Sequence, residues 1–398
     1  MRGRFAGVKA GILALVAVHS GPSHLAAQTF LQGELPPTLD ASGNPFIAIA
    51  GVTVADTSSC VIGPGVELNF ANESALGVSG NLEILGTELS PVVFQPWSGP
   101  GGPHFLGVSA SGSASLQARW LVIDGAYDGG LSVSGTGTSA LLEHVTIDGV
   151  SAGDGLRLGG GSFEVRSVTV SSAGFFYAGF SILPEVASIT MEDCHVSDCE
   201  VGFRTLLGQP GVDTVLLDCS ATNCTTGFEL KDGAEALGVT ATGCTSTGIL
   251  LESTLGEPMS LTSSSATGCA VGVWISGLSS PFSSITNVTM TGNDIGVRVD
   301  SPAVFRRCTF DENANYSVRV GTPIVTFLEI DMDSCYWGPV TTAEMIAEGT
   351  FSDIEAIYDF WDASSASLVS YDGFASGPVS VEPTVVSRSW ARVKAAYR

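Results

Sequence analysis

One phrase recurs, with variations, through the second half of the chain and leaves few folds open to it. CHVSDCEVGFRT (194–205) returns as CSATNCTTGFEL (219–230), VTATGCTSTGILL (239–251), SSATGCAVGVWI (264–275) and VTMTGNDIGVRV (288–299). Each copy carries a β-type segment, a Cys or Asn, a Gly, and an apolar-x-apolar triplet. The glycines Gly202, Gly227, Gly248, Gly272 and Gly296 are spaced by 25, 21, 24 and 24 residues, the period of a solenoid coil. A unit this short cannot enclose its own core and must stack on its neighbours, so the array adds length without adding cores. The 398 residues are therefore expected to form one elongated domain.

The cysteines follow the same period. Cys199, Cys224, Cys244 and Cys269 occupy one place in successive copies, which Asn293 takes over in the next; Cys194, Cys219 and later Cys308 share a second place. Stacked coils would line these residues up as inward ladders in which Cys is a small buried apolar residue. Disulfides between adjacent coils are the alternative. Zinc is not expected, since the chain has no CxxC pair and no His cluster.

The amino terminus reads as a secretory signal over 1–27. Arg2, Arg4 and Lys9 form its charged region, GILALVAV (11–18) its apolar region, and Leu25-Ala26-Ala27 a small-residue cleavage site. The apolar run is too short to span a bilayer. Cleavage near Ala27 would leave an exported or cell-surface protein. It would also remove three of the sixteen Lys and Arg and none of the forty Asp and Glu, for a net charge of −27. Such a polyanion does not condense on nucleic acid or anionic lipid.

Residues 28–50, with Pro36, Pro37 and Pro45, are expected to be an irregular entry segment. From 51 to 338 the text is short β segments punctuated by Gly, with alternation such as Val66, Leu68, Phe70 and Leu82, Ile84. Two passages frame it. The first is Val61-Ile62-Gly63-Pro64-Gly65-Val66-Glu67-Leu68-Asn69-Phe70, then Gly80-Asn81-Leu82, Gly86-Thr87 and Pro91-Val92-Val93-Phe94; the second is Cys335-Tyr336-Trp337-Gly338. Both resemble the opening and closing coils of secreted right-handed parallel β-helix proteins of the pectate-lyase-like superfamily. The resemblance implies an all-β, right-handed parallel β-helix of roughly a dozen coils with a short helical C-terminal cap. It implies no activity, because that superfamily mixes enzymes with non-enzymatic surface proteins. In the cap, 339–375, short helices are expected: Thr341 to Glu344 and Ser352 to Glu355 fit capping boxes, and Ile354, Ile357, Tyr358 and Trp361 fall on one helical face. Residues 376–398 read as a linker and a basic tail with Arg388, Arg392, Lys394 and Arg398.

The repeat also sets which side chains face out. In each triplet the flanking residues go inward and the middle one outward. Coil by coil that middle residue is Ser132, Arg157, Ser181, Arg204, Glu229, Leu250, Trp274, Arg298 and Arg319. Coils stand about 4.8 Å apart, so Arg298 beside Arg319 is a like-charge pair that calls for an anion between them. Trp274 beside Arg298 puts an indole next to a guanidinium, a combination that stacks on a sugar face and holds a carboxylate or sulfate. Arg157, Arg204, Trp274, Arg298 and Arg319 are therefore the candidate ligand-binding residues, and an acidic polysaccharide or cell-surface component the candidate partner. The opposing reading is that the column satisfies itself, with Arg204 on Glu229 and Trp274 on Arg298. A second outward column, Ser134, Gly159, Lys231, Glu252, Ser276, Asp300 and Gly321, holds the best carboxylate pair. Glu252 and Asp300 stand two coils apart, roughly 9 to 10 Å, near the upper end of the separation used by inverting glycosidases.

Sharper catalytic marks are missing. The chain has no adjacent Asp pair and no Gly-His-Gly, and past the signal its histidines are His104, His144 and His195, in different coils. Asp193 and Asp218 align in adjacent coils, but no Arg stands next to them as pectate-lyase-like calcium sites require; Arg307 shares their place several coils on. No nucleophilic triad or phosphate-loop spacing stands out. The expectation is a non-catalytic exported β-helix protein, without metal or cofactor, that binds polysaccharide or another surface along the Arg/Trp ladder. A polysaccharide lyase or glycoside hydrolase acting on an acidic polysaccharide, and a purely structural or adhesive protein, remain as alternatives.

Overall fold

The computed structural model describes residues 28–379 apart from 72, 99–104, 175–176, 207–212, 278–282, 322–328, 350–351, 360 and 364–365. The expected signal sequence and basic tail lie outside the described residues. From about residue 156 onward the strands pair in parallel with a stride of three: Val201–Thr205 pairs with Thr226–Lys231, and that ladder continues through Thr247–Ser253, Val271–Gly277, Ile295–Val299 and Tyr316–Val320; nearer the amino end, long strands such as Ser115–Asp124 run across two faces. A stride of three gives each coil three strands and the solenoid three faces, over about 11 turns.

The chain turns between faces on single residues in the left-handed region. Each three-residue strand of one face, such as His195–Ser197 or Thr240–Thr242, is bracketed by such residues, for example Asp193 (φ 54°) and Asp198 (φ 58°). One such corner runs through Trp120, His144, Ser167, Asp193, Asp218, Gly238, Ser263, Asn287, Arg307 and Ser334, all at positive φ. Gly, Asn and Asp enter this region most readily. Trp120 (φ 51°) is out of character there, and His144 (φ 54°) less so, since His enters the region more readily than most side chains. They stack on each other, 4.2 Å between ring centroids and 14° between planes. A left-handed L-residue costs about 1–2 kcal/mol, whereas one aromatic pair returns about 0.5–1.5 kcal/mol. The stack therefore does not offset two strained corners.

Strand alternation puts one face of every strand into a single elongated core. Phe180, Phe203 and Phe228 stack there at 4.8 Å, within 4° of parallel, which is the rise of one coil. The repeated glycines are a requirement of close approach: a Cβ on Gly202 would lie 2.4 Å from the Gly227 carbonyl oxygen, and one on Gly227 2.5 Å from that of Gly248. Both cysteine ladders are present. All nine thiols are free and buried. In the first ladder Cys269 is followed by Asn293 and Asn313, whose side-chain amides extend the column with hydrogen bonds. In the second, Cys335 stacks on Cys308, the Tyr336 N–H donating to the Cys308 carbonyl.

Both ends depart from expectation. Residues 28–50 are not irregular: Thr29–Glu34 pairs in parallel with Phe46–Val54, so the solenoid begins before residue 51. Leu31, Leu35, Leu39 and Ile47 bury there, which makes the segment a coil in its own right. At the other end the described residues hold one helix, α1 (Gly338–Glu348), instead of two. Its N-cap is Trp337 with no side-chain cap bond, so the Thr341 to Glu344 box lies inside it. Ile357–Tyr358, read as helical, is a strand that pairs with Val318 and Arg319. Two apolar residues cannot distinguish the periods by themselves, and the open edge of the last coil offered backbone partners.

Candidate functional site

All nine residues of the outward column are in register, each beside the next: Ser132 with Arg157, Arg157 with Ser181, Ser181 with Arg204, and so on to Arg298 with Arg319. Toward the amino end the column continues through small residues, Ser109, Gly77 and Thr53. These line a shallow trough of about 500 Å³ together with Asp56, Ser79 and Ser111.

The charged part divides into three stretches. Arg157 is exposed and has no ion pair among the described residues, and Ser181 is buried beside it. Next comes a closed chain of charges: Arg204 Nε lies 3.0 Å from Glu229, and Lys231 Nζ lies 3.1 Å from Glu229 and 2.9 Å from Glu252. Burial works to lower the Lys231 ammonium, but hydrogen bonds to Glu252 and Glu229 outweigh it and hold the group above its ordinary value. Two cations and two anions cancel, so this stretch offers little net field to a ligand.

The third stretch is built differently. The Arg298 guanidinium lies 4.3 Å from the centre of the Trp274 ring, and its Nε is 3.0 Å from Asp300 Oδ2. The Trp274 Nε1–H donates to that same oxygen at 2.8 Å. Asp300 thus clamps the indole and the guanidinium together. Arg319, one coil further, is exposed and lies 5.7 Å from the Tyr358 ring, with no carboxylate paired to it among the described residues. Tyr358 in turn packs edge-on to Tyr316. The result is a strip, Trp274, Arg298, Arg319 and Tyr358, of alternating aromatic and cationic character in which one cation is neutralised and the next is not.

The candidate acid pair does not stand free. Glu252 is bound to Lys231, and Asp300 to Arg298 and Trp274, with Ser276 in register between their coils. Asp300 Oδ1 is buried without a hydrogen-bond partner among the described residues, and a side chain at Gly321 would collide with it.

Two features escaped the sequence. Tyr358 was hidden by the helical reading of its segment. On another corner, Asp193, His195 and Ser220 form a carboxylate–imidazole–hydroxyl chain, Nε2 3.2 Å from Asp193 Oδ1 and Nδ1 2.7 Å from Ser220 Oγ. These residues come from successive coils, so linear spacing could not reveal them. The His195 and Asp193 side chains are about half exposed, and water competes for each bond. Among the described residues no cluster of three or more His, Cys, Asp or Glu is placed to hold a metal. No helix there is long and apolar enough to cross a membrane.

Three strands per coil, parallel stacking and a glycine ladder define the class: a right-handed parallel β-helix, as the resemblance of the end motifs to pectate-lyase-like proteins implied. Residues 129–295 match the family described as the right handed beta helix region. No curated protein matches. A solved structure described as the catalytic domain of GH87 alpha-1,3-glucanase in complex with nigerose is similar at 10% identity and a TM-score of 0.36, covering 70% of this chain and 60% of that one. The alignment thus spans less than two thirds of that domain.

Proposed function

We propose that this is an exported, non-catalytic β-helix protein that binds an acidic polysaccharide along the Trp274–Arg298–Arg319–Tyr358 strip. The observation that supports this most is the clamp: Asp300 fixes the Trp274 ring and the Arg298 guanidinium before any ligand arrives, while Arg319 stays unneutralised one coil away. Pre-ordered groups lose less freedom on binding. A sugar ring can lie on the aromatic faces while its carboxylate or sulfate meets the Arg319 fork. The engagement of both Glu252 and Asp300 by cations favours binding over hydrolysis. Arg157 lies several coils away, and Arg204 is occupied by Glu229, so both are peripheral to this reading.

The test is a glycan array with soluble cell-wall polymers, comparing wild type with the double substitution Trp274→Ala, Arg298→Ala. Wild type should retain polyuronates or sulfated glycans, and the double variant should lose them. Identical profiles would refute the assignment of the strip. Release of reducing ends or of an unsaturated product from a retained polymer would instead establish a lyase or hydrolase.

A further inference from the structure

We propose that the corner formed by Trp120 and His144 is a second, independent binding site, one that seats a neutral sugar ring. Its position is the first argument. Among the ten in-register residues of that corner, these two alone are aromatic, and both hold the left-handed conformation that Ser, Asp, Asn and Gly occupy in most of the other coils. Their mutual stack does not offset the strain, and the fold itself would be better served by Gly or Asn. Strain of this kind persists where a function requires the side chain.

Exposure is the second argument. His144 is exposed and Trp120 partly so. In the preceding coil the corresponding place is held by Gly86, whose N–H donates to the Arg119 carbonyl, so the residue in register with Trp120 on that rung has no side chain to lay over the indole. Leu85, in register with Arg119, is 39% exposed and extends the apolar rim.

Charge sets the ligand class. Arg119 Nε lies 2.6 Å from Glu143 Oε2, and Arg166 lies 3.2 Å from Glu143 and 3.8 Å from Glu192, with Glu164 also bound to it. Each guanidinium is already matched by carboxylate, and the cluster carries more acid than base. An anionic sugar would be repelled. A neutral ring can place its C–H face on the indole and exchange hydroxyl hydrogen bonds with the Arg119–Glu143 pair, which supplies donors and acceptors side by side.

The experiment is affinity electrophoresis of the full chain through gels containing a soluble β-glucan, a xylan, a galactomannan or a galactan. Wild type is compared with Trp120→Asn, His144→Asn and the double variant, and thermal midpoints are measured in parallel. Asn tolerates the left-handed region, so the folded backbone is preserved. The expected result is retardation of wild type by at least one neutral polymer, at least tenfold weaker retention for Trp120→Asn, and a midpoint for the double variant equal to or above that of wild type. Three results would each overturn the proposal: no neutral polymer retards wild type; the variants are retarded equally; or the double variant melts lower, which would make the pair a packing element. Because the readout uses uncharged polymers, failure here leaves the acidic-polysaccharide strip untouched, and the reverse also holds.

Discussion

Asn293 offers a direct measure of what holds successive coils together. It is 2% exposed and stands where four preceding coils carry Cys. Its Oδ1 accepts from the Cys269 N–H at 2.9 Å, and its Nδ2 donates to the Ala266 carbonyl at 3.0 Å and toward Asn313 Oδ1 at 3.3 Å. Asn293→Ala strands the buried Cys269 N–H, at about 1–3 kcal/mol, and opens a small cavity besides. Together the loss should be about 2–4 kcal/mol. Asn293→Cys should recover roughly half of it, since a sulfur in this ladder can accept from a backbone N–H, as Cys199 does from Ala173 at 3.4 Å. Urea midpoints at matched slope measure the change, and hydrogen exchange at the Cys269 amide locates it. If Asn293→Ala stays within about 0.5 kcal/mol of wild type, or Asn293→Cys is the less stable of the two, then the column is simply an apolar ladder and the amide bonds contribute nothing net.

Two further outcomes follow from the thiols and the surface charges. Burial pushes the Cys60 thiol up to about 11 and that of Cys199 up to about 12, so at about pH 8 a small alkylating reagent should leave the native protein unmodified by mass. Full denaturation should expose all nine thiols. Alkylation of a ladder thiol in the native chain would contradict the buried ladder geometry. Hydrogen bonds to the Arg306 guanidinium hold the Asp331 carboxyl below its ordinary value of 3.8. A depressed carboxyl stabilises the fold above its unfolded pKa and ceases to do so as pH falls through its folded pKa. Arg306→Met should therefore cost less than about 1 kcal/mol near neutral pH, because the pair is partly exposed. That difference should shrink as pH falls through the lowered pKa of Asp331, and a urea midpoint difference that stays constant through an acid titration would mean that Arg306 acts through packing alone.

The register was legible because strand side chains alternate with a period of two and the repeat supplies a glycine to count from. Gly202, Gly227, Gly248, Gly272 and Gly296 place Arg204, Glu229, Leu250, Trp274 and Arg298 on one outward line, and the strand pairing agrees at every step. The ends were harder to read. Around Thr29 and Ile357 no phrase repeats, prolines and capping-like triplets point elsewhere, and only an unsatisfied strand edge recruits those residues into the ladder. Trp120 and His144 were invisible as a pair for a related reason: their residue types favour neither a corner nor each other, and nothing local marks the left-handed conformation they share.

The sequence by itself determined the solenoid, the stacking of the cysteines in ladders and the register of the outward column from Ser132 to Arg319, because these depend on local period. It named two outcomes for the charged column without choosing between them. The tertiary structure decided: Arg204 is spent on Glu229, while Arg298 is held on Trp274 by Asp300 and leaves Arg319 open. That choice belongs to three dimensions because, Asp300 and Arg298 apart, the partners lie about one coil apart in space but 21 to 26 residues apart in the chain. Coil lengths vary, so which side chain reaches which carboxylate is set by how the coils stack.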